Sequence, residues 1–378
     1  MTGEPSPADT WAERARAFAE RVVRPHAVTI DREDRIPEEV LREMARERFL
    51  GLGIPVEWDG TGGDTRSTVA VLEILSHASA AVAVTLAVHL SVCARPILEW
   101  GTEPQKERFL RPLARGEQVG AFALTEPDAG SDTAGLATRY RRDGPDFVLR
   151  GTKMFTSNGV SAGVVLVFAT RDPSLGSRGI SAFIVPPGTS GFSVAQRFDK
   201  MGLRGSETTE LVLSDVRLPG DALLGPEGGG LKVALQSLAG GRVGIAACAL
   251  GVARAAFDEL LARVRASDAD WKRTALARAY TELSAASALV ERAAVRKDAG
   301  EPFVREASAA KLVASRAAVS IASAAVDVAG PIGGLADDPA GRLLRDARVF
   351  PIVEGTTEIQ ELILARSLVA PADPRNPY

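Results

Sequence analysis

The chain has 378 residues, enough for two or three subdomains around sizeable cores. Its 45 Lys and Arg residues against 48 Asp and Glu residues give a formal net charge of -3 without a basic stripe, which argues against a nucleic-acid-binding protein. The cysteines, Cys93 and Cys248, lie far apart, which excludes a disulfide framework and fits a reducing cytoplasm. The polar, acidic N-terminus is unlike a secretory signal, so we expect a cytoplasmic protein.

From Thr10 to about Leu113 the pattern is helical. The segment "PEEVLREMARERFLGLG" is amphipathic, starts with Pro37 in a first-turn position and stops at glycine. The stretch from Ala78 to Ala94 carries no formal charge and is nearly long enough to span a membrane. Because alanine dominates it and serine, threonine and histidine interrupt it, we predict a buried core helix of a soluble protein and no membrane partner.

Between Ala121 and about Gly225 the residue pattern changes to short runs rich in Val, Phe and Ile, bounded by Gly, Pro and Asp. This pattern is typical of antiparallel strands. These runs are "DFVLRGTKMFTS", "GVVLVFAT", "GISAFIVPP" and "TELVLSDVRLP". From Leu231 onward long alanine-rich helices return.

The predicted fold class is therefore α+β and mostly helical, with ligands bound where the subdomains meet. Its predicted parts are an N-terminal helical domain (1–120), a middle antiparallel β-domain (121–228) and a C-terminal helical domain (229–378). The three histidines, His26, His77 and His89, lack the spacing of metal ligands, so we expect no metal site.

The loop "ALTEPDAGSDTAG" lies where helices give way to strands. Its hydroxyls and backbone N–H groups suit a loop folded over a polar ring or a phosphate. Asx-type turns and capping residues explain the same composition. A cation site at Asp128 and Asp132 is a third reading, although the required ligand repeat is missing. The residues alone leave these readings open.

Near the C-terminus, Glu354 stands between an apolar run and a glycine in "VFPIVEGTTEIQ". A buried carboxylate is costly, and enzymes use that cost to raise its pKa until it acts as a base near neutral pH. The alternative is an ordinary carboxylate close to the N-terminus of the next helix. Thr357 and Gln360 have capping-box spacing, so we predict that this helix starts directly after Gly355.

Five segments together resemble the acyl-CoA dehydrogenase family, in the family's order and over nearly the whole chain. They are "GTEPQKERFLRPLARGE", "ALTEPDAGSDTAG", "GTKMFTSNG", "KMGLRGSETTELVLSDVRLP" and "LLRDARVFPIVEGTTEIQELILAR". The resemblance implies a helical N-terminal domain, a middle β-domain and a C-terminal four-helix bundle, usually assembled as a tetramer. It also implies an FAD-dependent enzyme that removes two hydrogens from the α and β carbons of an acyl thioester.

Within this resemblance, Glu354 in "VEGT" matches the base that takes the α proton while a hydride leaves the β carbon for FAD. Family members polarise the thioester carbonyl with the backbone N–H of the base and a flavin ribityl hydroxyl. Ser131, Arg242 and Gly355 match positions that contact the substrate. The expected electron acceptor is electron-transferring flavoprotein or another acceptor.

The resemblance also transfers a set of FAD contacts. Leu124 and Thr125 would bond the pyrimidine edge of the flavin. The segment from Phe155 to Ser157 would cover the ring, with Ser157 bonded to the nitrogen that accepts hydride. Thr356 and Glu358 would contact the nucleotide portion. Phe155 replaces the usual tryptophan, and Glu358 replaces a common glutamine, where a negative charge near pyrophosphate is unhelpful. The FAD-binding residues predicted in this way are Phe122, Leu124, Thr125, Ser131, Phe155, Thr156, Ser157, Gly330, Thr356 and Glu358.

Three departures from the family pattern matter. The "R-x-x-F-G" segment is absent, and "DVAGPIGGL" has Asp327, Pro331 and Gly334 in place of a glutamine, a glycine and an aromatic residue. We therefore expect the FAD adenylate to be held differently, in a homodimer or a homotetramer. The third departure is "AGGR", which keeps Arg242 but has Ala239 in place of aspartate, and indicates a thioester on an acyl carrier protein or a short polar acyl group, as in polyketide extender-unit pathways.

Two further functions remain open at this point. One is an oxygen-using flavin oxidase or monooxygenase on the same fold, which reaction of the reduced protein with oxygen would identify. The other is an FAD-free relative that acts as a binding module, which would be colourless and would not take up added FAD.

Overall fold

In the computed structural model, which describes residues 6–265, 267 and 269–369, the N-terminal part is helical. Side-chain caps start several of its helices: Ser6 accepts a hydrogen bond from the Asp9 N–H, and Asp64 accepts one from the Ser67 N–H at 2.7 Å. The helices are α1 (Pro7–Phe18), α2 (Arg24–Glu33), α3 (Glu38–Arg46), α4 (Thr65–Ala78), α5 (Ala80–Val88), α6 (Arg95–Trp100), α7 (Glu103–Gln105) and α8 (Arg111–Arg115).

Helix α5 is the buried helix that the uncharged stretch predicts. Every residue from Ala80 to Val88 is buried, and the π-helical segment His89–Ala94 joins α5 to α6. By length and composition alone, Ala80–Trp100 and Val304–Gly334 could each cross a membrane, but 83% and 44% of their most apolar windows are buried inside the protein. The first window is mostly buried, as is typical of a core helix.

In the described part of the chain, eight strands form one sheet in the order β6-β7-β3-β2-β4-β5-β8, and β1 pairs with β4. Most pairs are antiparallel, as predicted, but β1 and β2 each pair with β4 in parallel, and neither is joined to β4 by a hairpin. The strands are β1 (Val119–Ala123), β2 (Arg139–Asp143), β3 (Asp146–Ser157), β4 (Ala162–Thr170), β5 (Ile180–Val185), β6 (Phe192–Arg197), β7 (Thr208–Leu218) and β8 (Leu223–Leu224).

The C-terminal part is again helical. Its longest helix, α9, packs against α10, α11, α4 and α5, and α13 packs against α11. Close approach depends on glycine in places: a side chain at Gly251 would stand 2.3 Å from the Glu73 carbonyl oxygen of α4. These helices are α9 (Gly230–Arg265), α10 (Asp270–Asp298), α11 (Val304–Ala329), α12 (Pro339–Ala347) and α13 (Thr357–Val369). The predicted mostly helical α+β fold is confirmed.

Buried polar side chains join the helical segment to the sheet. His89 donates from Nε2 to the Leu50 carbonyl at 2.9 Å and accepts from the Gly120 N–H at Nδ1, 3.1 Å away. Burial lowers the pKa of His89 to about 4, so the ring is neutral and fits both partners. Asn158, which follows β3, donates to the carbonyls of Gly120 and Thr85. The end of β3 is thereby fixed against α5.

Candidate active site

Glu354 lies on a strained turn between α12 and α13. Its φ of 51° is left-handed, an uncommon conformation for a side-chain-bearing residue and one that surrounding contacts must enforce. Two buried side chains provide them. Gln360 donates from Nε2 to the carbonyls of Glu354 at 3.3 Å and Gly355 at 3.0 Å, and Lys311 donates from Nζ to the Gly355 carbonyl at 2.7 Å.

The Glu354 carboxylate points into the protein. Both of its oxygens are buried, and neither has a hydrogen-bond partner among the described residues. They lie against α9 at Gly241: a β-carbon there would stand 2.1 Å from Oε2 and 3.1 Å from Oε1. The carboxylate therefore occupies the space that the missing side chain leaves in α9.

The electrostatic environment makes this carboxylate a weak acid. Burial raises the pKa of Glu354 to about 7, although the positive charges of Arg242 and Lys311 act in the opposite direction. Burial likewise lowers the pKa of Lys311 to about 8 against the attraction of Glu354. A carboxyl group in this state is partly ionised at neutral pH and can accept a proton.

A second group of predicted residues meets where β1 ends. The Met154 N–H of β3 donates to the Thr125 carbonyl at 2.8 Å. Lys153, fully buried, donates from Nζ to the Leu124 carbonyl at 3.1 Å and to Glu126 Oε1 at 2.6 Å. These contacts fix the segment after β1 against β3, so the structure brings the predicted loop and the predicted strand together.

Next to this junction, Phe155 presents an aromatic ring to the surface. It is 60% exposed, has a left-handed φ of 55° and packs at a tilt against Phe198, with ring centroids 5.2 Å apart. Thr156 is buried, and its hydroxyl has no hydrogen-bond partner among the described residues, while Ser157 is half-buried. Phe122 is half-buried on β1 and packs on Phe168. A polar ligand with a flat face would satisfy this combination.

The loop that follows contains local turns. Asp132 accepts from the Ala134 N–H at 3.2 Å, as the Asx-turn reading predicts, and Ser131 beside it is exposed. Glu126 is held by Lys153 and by the N–H groups of Ala137 and Thr138. Within the described ranges no three His, Cys, Asp or Glu residues are grouped so that they could hold a metal.

At the start of α13 the predicted capping box is wrong by one residue. Thr356 is the cap, since its Oγ1 accepts from the Ile359 N–H at 3.4 Å, and Thr357 is the first helical residue. Gln360 instead turns inward to the Glu354 carbonyl. Glu358 is exposed, and hydrogen bonds from its own N–H and from Thr356 hold its pKa below the ordinary value.

Gly330 lies apart from these groups. It ends α11 with a φ of 63° and is exposed. It stands 19 residues along the chain from Lys311, the residue that contacts the Glu354 turn, and at 1.5 Å per helical residue this spacing along α11 is about 28 Å. Arg242, in contrast, is buried on α9 next to Gly241.

Sequence reasoning missed Lys311 and the role of Gly241. Lys311 could have been found because it is a cation on the otherwise apolar and small-residue buried stripe of α11. Gly241 carried only a weak signal, as the second glycine of "AGGR". Its use depends on a residue more than 100 positions away in sequence.

Models of three consecutive domains match the chain: the acyl-CoA dehydrogenase N-terminal domain at residues 8–117, the middle domain at 121–216 and the C-terminal domain at 228–369. The short-chain specific acyl-CoA dehydrogenase of Clostridium acetobutylicum is 39% identical over 361 residues, which cover 93% of this chain and 95% of that protein. The structure of butyryl-CoA dehydrogenase from Megasphaera elsdenii matches with a TM-score of 0.95 and 36% identity, over 98% of this chain and 100% of the other. The prolyl acyl carrier protein oxidase AnaB matches with a TM-score of 0.93 and 28% identity, over 97% and 100%.

The buried pair of Lys153 and Glu126 can be tested by mutation. Lys153→Met leaves the Glu126 carboxylate buried without its cation, so we expect the free energy of unfolding to fall by about 3–5 kcal/mol in urea titrations. The double variant Glu126→Gln/Lys153→Met removes both charges and is expected to be more stable than Lys153→Met. If the double variant is the less stable of the two, the uncompensated charge is not the cause.

The stability cost of Glu354 depends on pH. Its pKa is raised in the folded protein, so the wild type loses stability as pH rises from about 4.5 through about 7. Glu354→Gln removes this loss and is expected to raise the free energy of unfolding on the order of 3 kcal/mol at pH 8.5 and by little at pH 4.5. Glu358→Gln, at an exposed position with a lowered pKa, serves as the control and is not expected to stabilise. A gain for Glu354→Gln that does not vary with pH would contradict this account.

Proposed function

Because the chain belongs to the acyl-CoA dehydrogenase family of oxidoreductases acting on CH–CH groups, we propose that it catalyses FAD-dependent α,β-dehydrogenation of an acyl thioester, from acyl-CoA to 2-enoyl-CoA. In this proposal Glu354 is the catalytic base. The observation that carries it is the buried carboxylate, which has no hydrogen-bond donor among the described residues and a pKa raised to about 7.

Glu354 would take the α proton of the thioester. An ordinary glutamate, with a pKa near 4.3, is a poor base for so weak a carbon acid. Because the pKa of Glu354 is raised to about 7, the free energy of proton transfer to its carboxylate is about 3 kcal/mol more favourable than for transfer to an exposed glutamate. The same burial excludes water from the reacting carbons.

The backbone of Glu354 offers a second contribution. Among the described residues its N–H donates no hydrogen bond, while the carbonyls of Glu354 and Gly355 are both held by side chains. A free N–H beside the base can donate to the thioester carbonyl and stabilise the negative charge that develops as the α proton leaves. Gly355 suits the next position because its φ is 95° and a β-carbon there would stand 2.5 Å from Gln360 Nε2, the atom that holds both carbonyls.

The residues at the end of β1 and β3 fit a flavin. The Thr156 hydroxyl is buried and has no partner among the residues that the structure describes, and the Phe155 ring is exposed. Hydrogen bonds from Lys153 and Met154 hold the backbone at Leu124 and Thr125. Phe122 and Ser157 complete the set that would hold the ring. When bound, FAD supplies the acceptor for the hydride of the β carbon.

The nucleotide portion of FAD would contact Ser131, Thr356, Glu358 and Gly330. The exposed positions of Ser131, Glu358 and Gly330 leave them accessible to a ligand. Glu358 opposes a pyrophosphate through its charge. Gly330 lies far along α11 from the Glu354 turn, so it would serve an FAD bound across a subunit boundary. A homodimer or homotetramer would provide that boundary.

The thioester arm would lie near Arg242, Gly355 and Ser131. Coenzyme A is the proposed carrier, in line with the names of the curated relatives. An acyl carrier protein thioester is the second candidate, favoured by Ala239 in place of an acidic residue and by the similarity to AnaB. The proposed acceptor is electron-transferring flavoprotein. Rapid reaction of the reduced protein with oxygen would instead indicate an oxidase.

The proposal is tested by anaerobic titration of the FAD-loaded protein with butyryl-CoA, other acyl-CoA thioesters and acyl carrier protein thioesters. We expect one class to bleach the flavin absorbance of the wild type. Glu354→Gln is expected to keep the flavin and to lower the rate constant of bleaching by roughly 10²–10⁴-fold. Bleaching at the wild-type rate would remove Glu354 from its role, and failure of every thioester with the wild type would overturn the proposed function.

A further inference from the structure

Helix α9 contains a glycine pair, Gly240 and Gly241, whose members face different surroundings. A β-carbon at Gly241 would stand 2.1 Å from Oε2, 2.9 Å from Cδ and 3.1 Å from Oε1 of Glu354. A β-carbon at Gly240 would meet only the end of the Lys297 side chain, with Nζ at 3.2 Å. One glycine is therefore filled by the carboxylate, and its neighbour faces a flexible side chain.

We propose that Gly241 is a positioning residue for the reaction, because the notch that it leaves in α9 seats the Glu354 carboxylate in the orientation from which it acts. The inference rests on the proposed function and adds a residue that does not itself touch the substrate's reacting carbons. It explains how a carboxylate that has no hydrogen-bond donor in the described part of the chain keeps one orientation: the turn holds its backbone, and the shape of α9 holds its side chain.

The turn cannot absorb a change at Gly241. The Glu354 backbone is held through the carbonyl contacts of Gln360 and Lys311, so added volume on α9 has to be accommodated by rotation of the Glu354 side chain. A contact of 2.1 Å must lengthen by more than 1 Å to reach van der Waals separation. A displacement of about 1 Å in a catalytic group can cost roughly 10²-fold in rate.

Displacement would also change the ionisation of the base. The charged groups that act on Glu354 are Arg242 on α9 and Lys311 on α11, and both favour its ionised form. The neighbouring Cys248 is a buried thiol whose pKa is raised, so it adds no charge. A displaced carboxylate would move either into solvent or toward one of the two cations. Both displacements favour the ionised form, so either one lowers the pKa of Glu354.

The test compares Gly241→Ala with Gly240→Ala in the FAD-loaded protein. Both substitutions add one methyl group to the same turn of the same helix, so their effects on helix propensity match. For Gly241→Ala we expect the rate constant of flavin bleaching by butyryl-CoA, or by the thioester that the wild type uses, to fall roughly 10- to 100-fold. We also expect the midpoint pH at which this rate rises to lie below that of the wild type. Gly240→Ala is expected to follow the wild type in both.

A thermal-unfolding cycle tests the contact without relying on activity. In the wild-type background Gly241→Ala is expected to have a lower Tm than Gly240→Ala. In the Glu354→Ala background, where the carboxylate is gone, the two alanine substitutions are expected to raise Tm equally. Equal rates and superimposable pH profiles for Gly241→Ala and the wild type would overturn the proposal. If no thioester bleaches the wild type, the proposed function fails, while the unfolding cycle still decides whether Gly241 seats Glu354.

Discussion

The burial of the Glu354 carboxylate, which has no hydrogen-bond donor among the described residues, is the constraint on which the rest of the site depends. Buried charges are normally paired or neutralised, and Glu354 is partly neutralised, with a pKa raised to about 7. The positive charges of Arg242 and Lys311 limit how far the pKa of Glu354 is raised. Among the described contacts, Lys311 donates its hydrogen bond to the Gly355 carbonyl and not to the carboxylate. Its ammonium thus fixes the turn while leaving the carboxylate basic.

Helix α9 is the element that makes this arrangement possible. It packs against α4 and α5 of the N-terminal part and against α10 and α11, so its position is fixed from several sides. Because the helix is fixed, the notch at Gly241 restricts the position of the Glu354 side chain, which comes from a turn distant in sequence. The sheet side is fixed in a similar way, since Asn158 joins the end of β3 to α5, which in turn packs on α9. The proposed base and the proposed ring-binding residues are therefore attached to one continuous framework.

Local sequence signals predicted much of this fold. The four quoted apolar runs lie on β3, β4, β5 and β7, and the uncharged alanine-rich stretch is the buried helix α5. Contacts between distant segments were less accessible. The parallel pairing of β1 with β4 depends on how the chain enters the sheet, and no local pattern encodes that. The capping box failed because Gln360, which has the right spacing, is drawn inward to the Glu354 carbonyl by the strained turn.

The same distinction separates the parts of the site that could be predicted from those that could not. Glu354 could be predicted as the base because its segment "VEGT" matches the family's base position, whereas its apolar neighbours and the following glycine alone left an ordinary carboxylate near a helix start as the alternative. Gly241 and Lys311 belong to other helices, and they acquire their importance only when α9 and α11 pack around the turn. A glycine that makes room for a remote side chain has no signature of its own, since in sequence it resembles any glycine that allows helices to approach. The residues that give a carboxylate its chemistry can thus be harder to find than the carboxylate itself, because they act through shape and charge at a distance.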